Sequence, residues 1–368
     1  MNAARATTQS LRLVAPERTA CTDILLGRAL LGQAQDVLAP FRKARLAIIS
    51  DERVAPLHAA PLRDLLEESG YSAHLLRIPS GEDAKSIETL IHLYKECKRL
   101  ELDRDDVVVA VGGGMVGDVA GMVASTYLRG LEFVQIPTSL VAMVSASVGG
   151  KVGVNFLDYK NLIGAFKQPA MVIADPLTLD TLPAIEFRSG LGELVTVGVL
   201  GDAQIFESLE SRGALDIDPL IMAAIKCKKE IVEADPLDRS GIRARLNLGH
   251  TFGHALEKLS DFNLPHGLAV GVGLHIASRL AAEMKLCPPS VPERIRRTLL
   301  SLDLPVTLEG YFPEEMIHAM RGDKKRAGGL LRFVLPVSIG EVILFSEDDV
   351  PRGLLEDLLR IIVTEGQG

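Results

Sequence analysis

The stretch "DVVVAVGGGMVGD", Asp106 to Asp118, decides the architecture. A short apolar run rich in β-branched residues runs straight into glycines, as a buried strand of a parallel sheet does. Gly112, Gly114 and Gly117 then fall in G-x-G-x-x-G register ahead of a helical segment. Glycines let a backbone approach a pyrophosphate closely, and a helix N-terminus favours negative charge. A tight strand-to-helix turn with no ligand is the plainer alternative. The strand–glycine–helix order favours a nucleotide.

Outward from this unit the same grammar repeats. "RLAIIS" ends at Asp51, "AHLLRIP" ends before Ser80-Gly81-Glu82, and "LEFVQIP" and "MVIAD" follow at similar intervals. Apolar runs separated by helical segments make βα units, and ligands of such sheets gather beyond the carboxyl ends of the strands. Asp51, Gly81-Glu82, Gly112–Gly114 and Pro137-Thr138 are therefore expected along one crevice, with Asp51 placed to hold a ribose hydroxyl. From about Phe187 the periodicity lengthens. "LIMAAIKCKKEIVEAD", "ARLNLGHTFGHALEKL" and "GLAVGVGLHIASRLAAEM" fit helices better than strands. The expected organisation is a Rossmann-like α/β domain over 1–184 and a mainly α-helical domain over 185–368.

Bulk properties narrow the function. The 368 residues carry a formal charge of −8, with a sequence pI near 5.6, which argues against a general nucleic-acid binder. Cys21, Cys97, Cys227 and Cys287 are scattered, so neither a zinc knuckle nor a disulfide framework is suggested. The first residues lack an apolar core of signal-peptide length, and no apolar run reaches the ~18 residues that span a bilayer. A cytoplasmic enzyme without a membrane partner is the expectation.

Two further stretches carry chemistry. In "SVGGKVGVNFLDYKN", Lys151 follows two glycines, and Lys160-Asn161 come shortly after. Lysines and an asparagine beside glycines suit a phosphate or carboxylate pocket, against the alternative of solvated surface lysines. In "LNLGHTFGHALE", Leu246 to Glu257, His250 and His254 stand one helical turn apart on one face. Alone, that pair is ambiguous between a metal site, a proton relay and two core histidines, and most isolated pairs of this kind are structural.

Taken together and in order, "GGGMVGDVAG", "TYLRG", "IPTSL", "SVGGKVGVN", "KNLIGAFKQP", "FRSGLGEL", "LNLGHTFGHALE", "PHG" and "GDKK" resemble the dehydroquinate synthases and their relatives, the sugar phosphate cyclases. The resemblance runs from about Asp51 to about Gly340. It implies an N-terminal NAD-binding domain and a C-terminal metal-binding domain, working as a homodimer on a phosphorylated sugar acid. It implies that Glu193, His250 and His266 hold Zn2+ or Co2+, while His254 transfers protons near the substrate phosphate. Arg129 from a partner subunit, Lys151, Asn161, His254 and Lys324 or Lys325 would surround that phosphate. Lys228, Arg243 and Asn247 would hold the other end of the substrate. Asp51, Glu82, Lys85, Gly113, Gly114, Asp118, Thr138, Ser139, Lys160 and Thr181 would bind NAD. The implied reaction eliminates phosphate from a seven-carbon keto-sugar phosphate and closes a carbocycle without net redox change.

Three positions depart from the family pattern. Ser145 stands where an aspartate is usual, Thr196 where a lysine is usual, and Leu268 where a glutamate usually follows His-Gly. The first two changes remove one negative and one positive substrate-facing group. A specialised cyclase of secondary metabolism, or a homologue that binds NAD and metal without catalysis, are therefore the alternatives to a dehydroquinate synthase. A plain metal-dependent alcohol dehydrogenase would not need the phosphate-pocket lysines.

Overall fold

The β-branched runs become strands because each lies buried in one sheet. The computed structural model describes residues 9–15, 20–157, 159–211, 215–307, 310–324, 331–351 and 353–365. Two units separate, Met1–Pro183 and Ala184–Gly368.

The first unit contains β1 (Gln9–Ala15), β2 (Ala20–Leu26), β3 (Arg45–Asp51), β4 (Ser72–Ile78), β5 (Val107–Gly112), β6 (Glu132–Pro137), β7 (Lys151–Phe156), β8 (Tyr159–Phe166) and β9 (Met171–Ala174). Its helices are α1 (Ala34–Val37), α2 (Ala60–Glu68), α3 (Ile87–Arg99) and α4 (Gly114–Thr126). The main sheet has the order β1-β2-β9-β6-β5-β3-β4, parallel throughout except for β1. Alternate residues serve opposite faces. Leu46 and Ile48 pack with Leu62 and Leu66 of α2, whereas Ala47 and Ile49 pack with Leu90 and Leu93 of α3 and Val116 and Val119 of α4. Each fully buried aliphatic side chain in these layers contributes about 1.5–3 kcal/mol relative to exposure.

Chain order reverses between β3 and β5, so this pair is the topological switch point where ligands of open α/β sheets bind. Ile49 is registered with Ala110, which places Asp51 and Gly112 side by side at the carboxyl ends. The segment carrying Lys151 and Asn161 is a separate antiparallel hairpin, β7–β8, which periodicity does not announce.

The second unit contains α5 (Ala184–Leu200), α6 (Ala203–Glu210), α7 (Ile217–Ala234), α8 (His250–Leu259), α9 (His266–Glu283), α10 (Ser290–Ser301), α11 (Pro313–Lys324) and α12 (Leu354–Glu365). A small antiparallel pair, β10 (Arg332–Ser338) and β11 (Glu341–Ser346), accompanies them. The sequence suggests one helix from Ala244 to Leu259, but the structure divides it. A 3-10 turn over Ile242–Asn247 stops, and α8 begins after Gly249, whose φ is +74°. A side chain at Gly249 would also lie 2.8 Å from Leu274 N and Val270 O of α9, so glycine is required twice over.

Candidate active site

In the second unit, two helices are forced together by the absence of side chains. A Cβ at Gly192 of α5 would lie 2.1 Å from the Gly267 carbonyl of α9, and one at Gly267 only 1.8 Å from the Ser189 carbonyl. Ser189 Oγ accepts the Gly267 N–H at 2.9 Å and fastens the crossing. This contact sets Glu193 beside His266, and α8 packed on α9 adds His250. Glu193 Oε1 lies 3.1 Å from His266 Nε2 and 3.6 Å from His250 Nε2. The three side chains offer ligand atoms that all lie within 4.8 Å of one another.

The outer partners fix which nitrogens face inward. His250 Nδ1 lies 2.9 Å from the Leu248 carbonyl, and His266 Nδ1 lies 3.2 Å from Glu257 Oε2. Both contacts favour a proton on Nδ1, so that Nε2, facing Glu193, is the nitrogen that ligates a metal once it sheds any proton. Burial would raise the Glu193 pKa, yet His266, His250 and Lys228 overcome it and hold the carboxyl at about 2. Burial opposes charge on His266 too, and Glu193 with Glu257 pull it up to about 10. His250 is pushed down by burial, toward the neutral form that coordinates. Glu193 Oε1 is buried and, among the described residues, accepts no well-formed hydrogen bond. A low-pKa carboxylate, two oriented imidazoles and a demand for positive charge fit a divalent cation with one open position.

Around this cluster, His254 is exposed on α8, its ring centroid 5.9 Å from that of His266. His254, Glu257 and His266 form a second group of metal-competent atoms. Lys228, on α7, acts electrostatically on both Glu193 and His250. Arg243 is buried, and its Nη1 donates to the Pro236 carbonyl at 3.1 Å. Its loop is organised by buried Asp235, which accepts the backbone N–H of Arg239 and Ser240 at 2.8 and 3.2 Å. Asn247 is exposed at the end of the same turn. Thr196 is buried on α5 and its Oγ1 donates to the Gly192 carbonyl at 3.0 Å. Leu268 is buried on α9. Lys324 ends α11, and Lys325 lies outside the described residues.

In the first unit, Asp51, Gly113 and Gly114, expected to bind a nucleotide, lie at the switch point. Asp51 Oδ1 accepts from Arg53 N, Val54 N and Ser80 Oγ at 2.9, 3.2 and 2.7 Å. Gly113 caps the N-terminus of α4, and the Cβ it lacks would lie 3.5 Å from Ser139 Oγ. Gly114 opens that helix, and Thr138 N donates to the Gly112 carbonyl at 3.0 Å. Buried Lys85 pairs with Asp118 at 2.5 Å, and Glu82 Oε1 accepts from Asn155 Nδ2 at 2.9 Å. Thr181 Oγ1 lies 2.7 Å from His58 Nε2. On the hairpin, Lys151 and Asn161 are exposed and Lys160 is half-buried. Arg129 is exposed, and it and Leu128 are two consecutive left-handed residues, at φ +70° and +49°. Ser145 is half-buried in a single turn over Ala142–Ala146.

Three residues that structure this machinery, Asn155, Asp235 and Glu257, have no role in the sequence reading. Glu257 had a readable signal, being seven residues after His250 and so on the same helical face.

The family described as 3-dehydroquinate synthase, N-terminal, matches residues 75–189, and its C-terminal counterpart matches residues 190–326. The chain belongs to the 3-dehydroquinate synthase family. A curated family member, the 3-dehydroquinate synthase of Cereibacter sphaeroides, is 42% identical over 352 residues, covering 92% of this chain and 94% of that protein. Among solved structures, the 2-epi-5-epi-valiolone synthase of Streptomyces hygroscopicus, with NAD+ and Zn2+ bound, is 28% identical with a TM-score of 0.86, covering 97% of this chain and 99% of that one. A 2-deoxy-scyllo-inosose synthase complexed with carbaglucose-6-phosphate, NAD+ and Co2+ shares the fold at 24% identity and a TM-score of 0.85, covering 96% and 100%. Among the described residues, no helix is long and apolar enough to cross a membrane.

Proposed function

We propose that this member of the 3-dehydroquinate synthase family is an NAD- and divalent-metal-dependent cyclase that eliminates phosphate from a carboxylated seven-carbon keto-sugar phosphate, as a 3-dehydroquinate synthase does with DAHP. The observation that carries the reading is the convergence of Glu193, His250 and His266, with outer partners that turn both Nε2 atoms toward the carboxylate. When bound, the metal supplies Lewis-acid polarisation of a substrate hydroxyl, and NAD supplies a reversible hydride acceptor.

The chain's own groups do the rest. His254 accepts or returns a proton at its exposed imidazole beside the metal ligands. Arg243, held by its loop, is the bidentate partner for the substrate carboxylate, aided by Lys228 and Asn247. Within the first unit, Lys151 and Asn161 are assigned to the phosphate, and Asp51, Glu82, Lys85, Gly113, Gly114, Asp118, Thr138, Ser139, Lys160 and Thr181 to NAD. Asp51 disfavours NADP, whose extra phosphate its charge would repel. Arg129, exposed at a turn, is assigned to the phosphate site of a partner subunit, which makes the enzyme a homodimer. Lys324 is assigned to the same phosphate.

The test is phosphate release from a panel of carboxylated and uncarboxylated seven-carbon sugar phosphates, with NAD and zinc or cobalt supplied. The expected result is release from the carboxylated keto-sugar phosphate at about 1–10³ per second, with no accumulation of NADH. Steady NADH accumulation would instead identify a dehydrogenase. Glu193→Ala, His250→Ala and His266→Ala should each lose metal on dialysis, whereas His254→Ala should keep metal and lose turnover. Metal retained by all three ligand variants would refute the assignment.

Thr196 favours one variant of this reading. Its hydroxyl is bonded to its own helix, so the position supplies neither charge nor a free donor one turn from Glu193. A specialised cyclase would turn over a substrate modified near that position faster than DAHP in the same panel.

A further inference from the structure

Asn155 lies on β7 between the lysine and asparagine assigned to the phosphate, and every polar atom of its amide is used. Its Nδ2 donates to Glu82 Oε1 at 2.9 Å, and its Oδ1 accepts the backbone N–H of Asn161 at 2.9 Å. Its own backbone N–H donates to the Lys85 carbonyl at 2.8 Å. Lys85 in turn reaches across to Asp118 near the start of α4. One side chain thus joins the loop that carries Glu82 and Lys85 to the strand that carries Asn161.

The chemistry makes this joint selective. A carboxylate only accepts and a backbone N–H only donates, so the amide has one permitted orientation. Aspartate could still accept from Asn161 N, but it would set a second carboxylate against Glu82. Alanine removes both bonds. Asn161 is held at φ +52°, a conformation that non-glycine residues adopt at a cost, and its N–H is bonded to Asn155.

We propose that Asn155 is a positioning residue that couples the nucleotide loop to Asn161, so that bound NAD orders the phosphate-holding hairpin and bound phosphate steadies the nucleotide loop. The proposal rests on the NAD and phosphate assignments above. Coupling of this kind is reciprocal: each ligand tightens the other by one common factor.

Calorimetry on the zinc-loaded full-length protein tests it, with NAD and inorganic phosphate as the probes, each titrated with and without the other. In the unsubstituted protein NAD should tighten phosphate about tenfold, and phosphate should tighten NAD equally. Asn155→Ala should bring that factor close to one while each ligand alone still binds, a result that a merely structural residue would not produce. Asn155→Asp should also abolish coupling. Pairing it with Glu82→Gln returns a donor to the same contact and should restore the coupling, which guards against a folding defect in either single variant. Coupling that survives Asn155→Ala, or that is absent when the unsubstituted protein binds both ligands, would overturn the proposal. If the unsubstituted protein binds neither NAD nor phosphate, the functional assignment itself fails and this inference fails with it.

Discussion

His275 sits on α9 with no exposed surface, and neither ring nitrogen has a hydrogen-bond partner among the described residues. Burial, with smaller contributions from Arg279 and Arg296, lowers its pKa from 6.5 to about 3. In the unfolded chain the same imidazole titrates near 6.5, so on acidification the unfolded state takes up the proton first. Stability is therefore unaffected by His275 above about pH 6.5 and declines continuously as pH falls toward 3. At pH 5 the expected loss is about 2 kcal/mol. Urea unfolding of His275→Phe should show a shallower fall in midpoint between pH 6.5 and 4 than the unsubstituted protein. An unchanged slope would mean that other groups set the acid limit. His275 also shows why residue roles are only partly legible. "HTFGH" and "PHG" declare their histidines through spacing, but a core imidazole without partners looks the same in sequence as a ligand. Glu257 is a half-legible case: its spacing puts it on the His250 face, but its partner His266 meets it only through the packing of α8 on α9.

Whole elements were legible where burial repeats locally and illegible where it does not. β3, β5, β6 and β9 are buried at almost every position, so continuous apolar runs reveal them. β8 alternates irregularly between exposed and half-buried residues, and its pairing with β7 rather than its composition makes it a strand. The start of α8 is hidden because the periodicity of 244–259 is helical throughout, while Gly249 alone carries the break. The crossing of α5 and α9 lends itself to a direct test. Gly267→Ala would drive a methyl into the Ser189 carbonyl, so the helices must separate. Overpacking of this kind costs about 1–3 kcal/mol. The variant should melt earlier and bind zinc at least about tenfold more weakly by equilibrium dialysis, because His266 is carried away from Glu193. Normal zinc affinity in a destabilised variant would show that the crossing is not what sets the ligand geometry.

At the scale of the whole chain, the fold class was readable from alternating βα segments followed by helices, but the spatial order of the strands was not. Nothing in the sequence says that β3 and β5 are neighbours with β4 outside them; that order emerges only from the pairing of the folded sheet. The division into two units has a thermodynamic consequence, since residues assigned to NAD lie in 1–183 and those assigned to the metal lie in 184–368. Scanning calorimetry should resolve two transitions, with NAD raising one and zinc the other. Each ligand at a thousandfold its dissociation constant adds about 4 kcal/mol to the part it binds. A single transition raised by either ligand would show that the chain unfolds as one body.

The placement of the ligands along the chain also bears on how the second unit forms. His250 and His266 open consecutive helices, whereas Glu193 comes from α5, far earlier in the chain. Joining α8 to α9 closes a short loop and costs little chain entropy, but recruiting α5 closes a long one. A folding chain should therefore assemble two imidazoles before the carboxylate arrives, and that pair is expected to hold zinc already. Zinc present from the first moment of refolding should raise the folding rate measured by stopped flow, in addition to slowing unfolding as any ligand of the native state does. The cation would then serve as a nucleus around which the polypeptide acquires its shape, as well as a reagent of the finished enzyme.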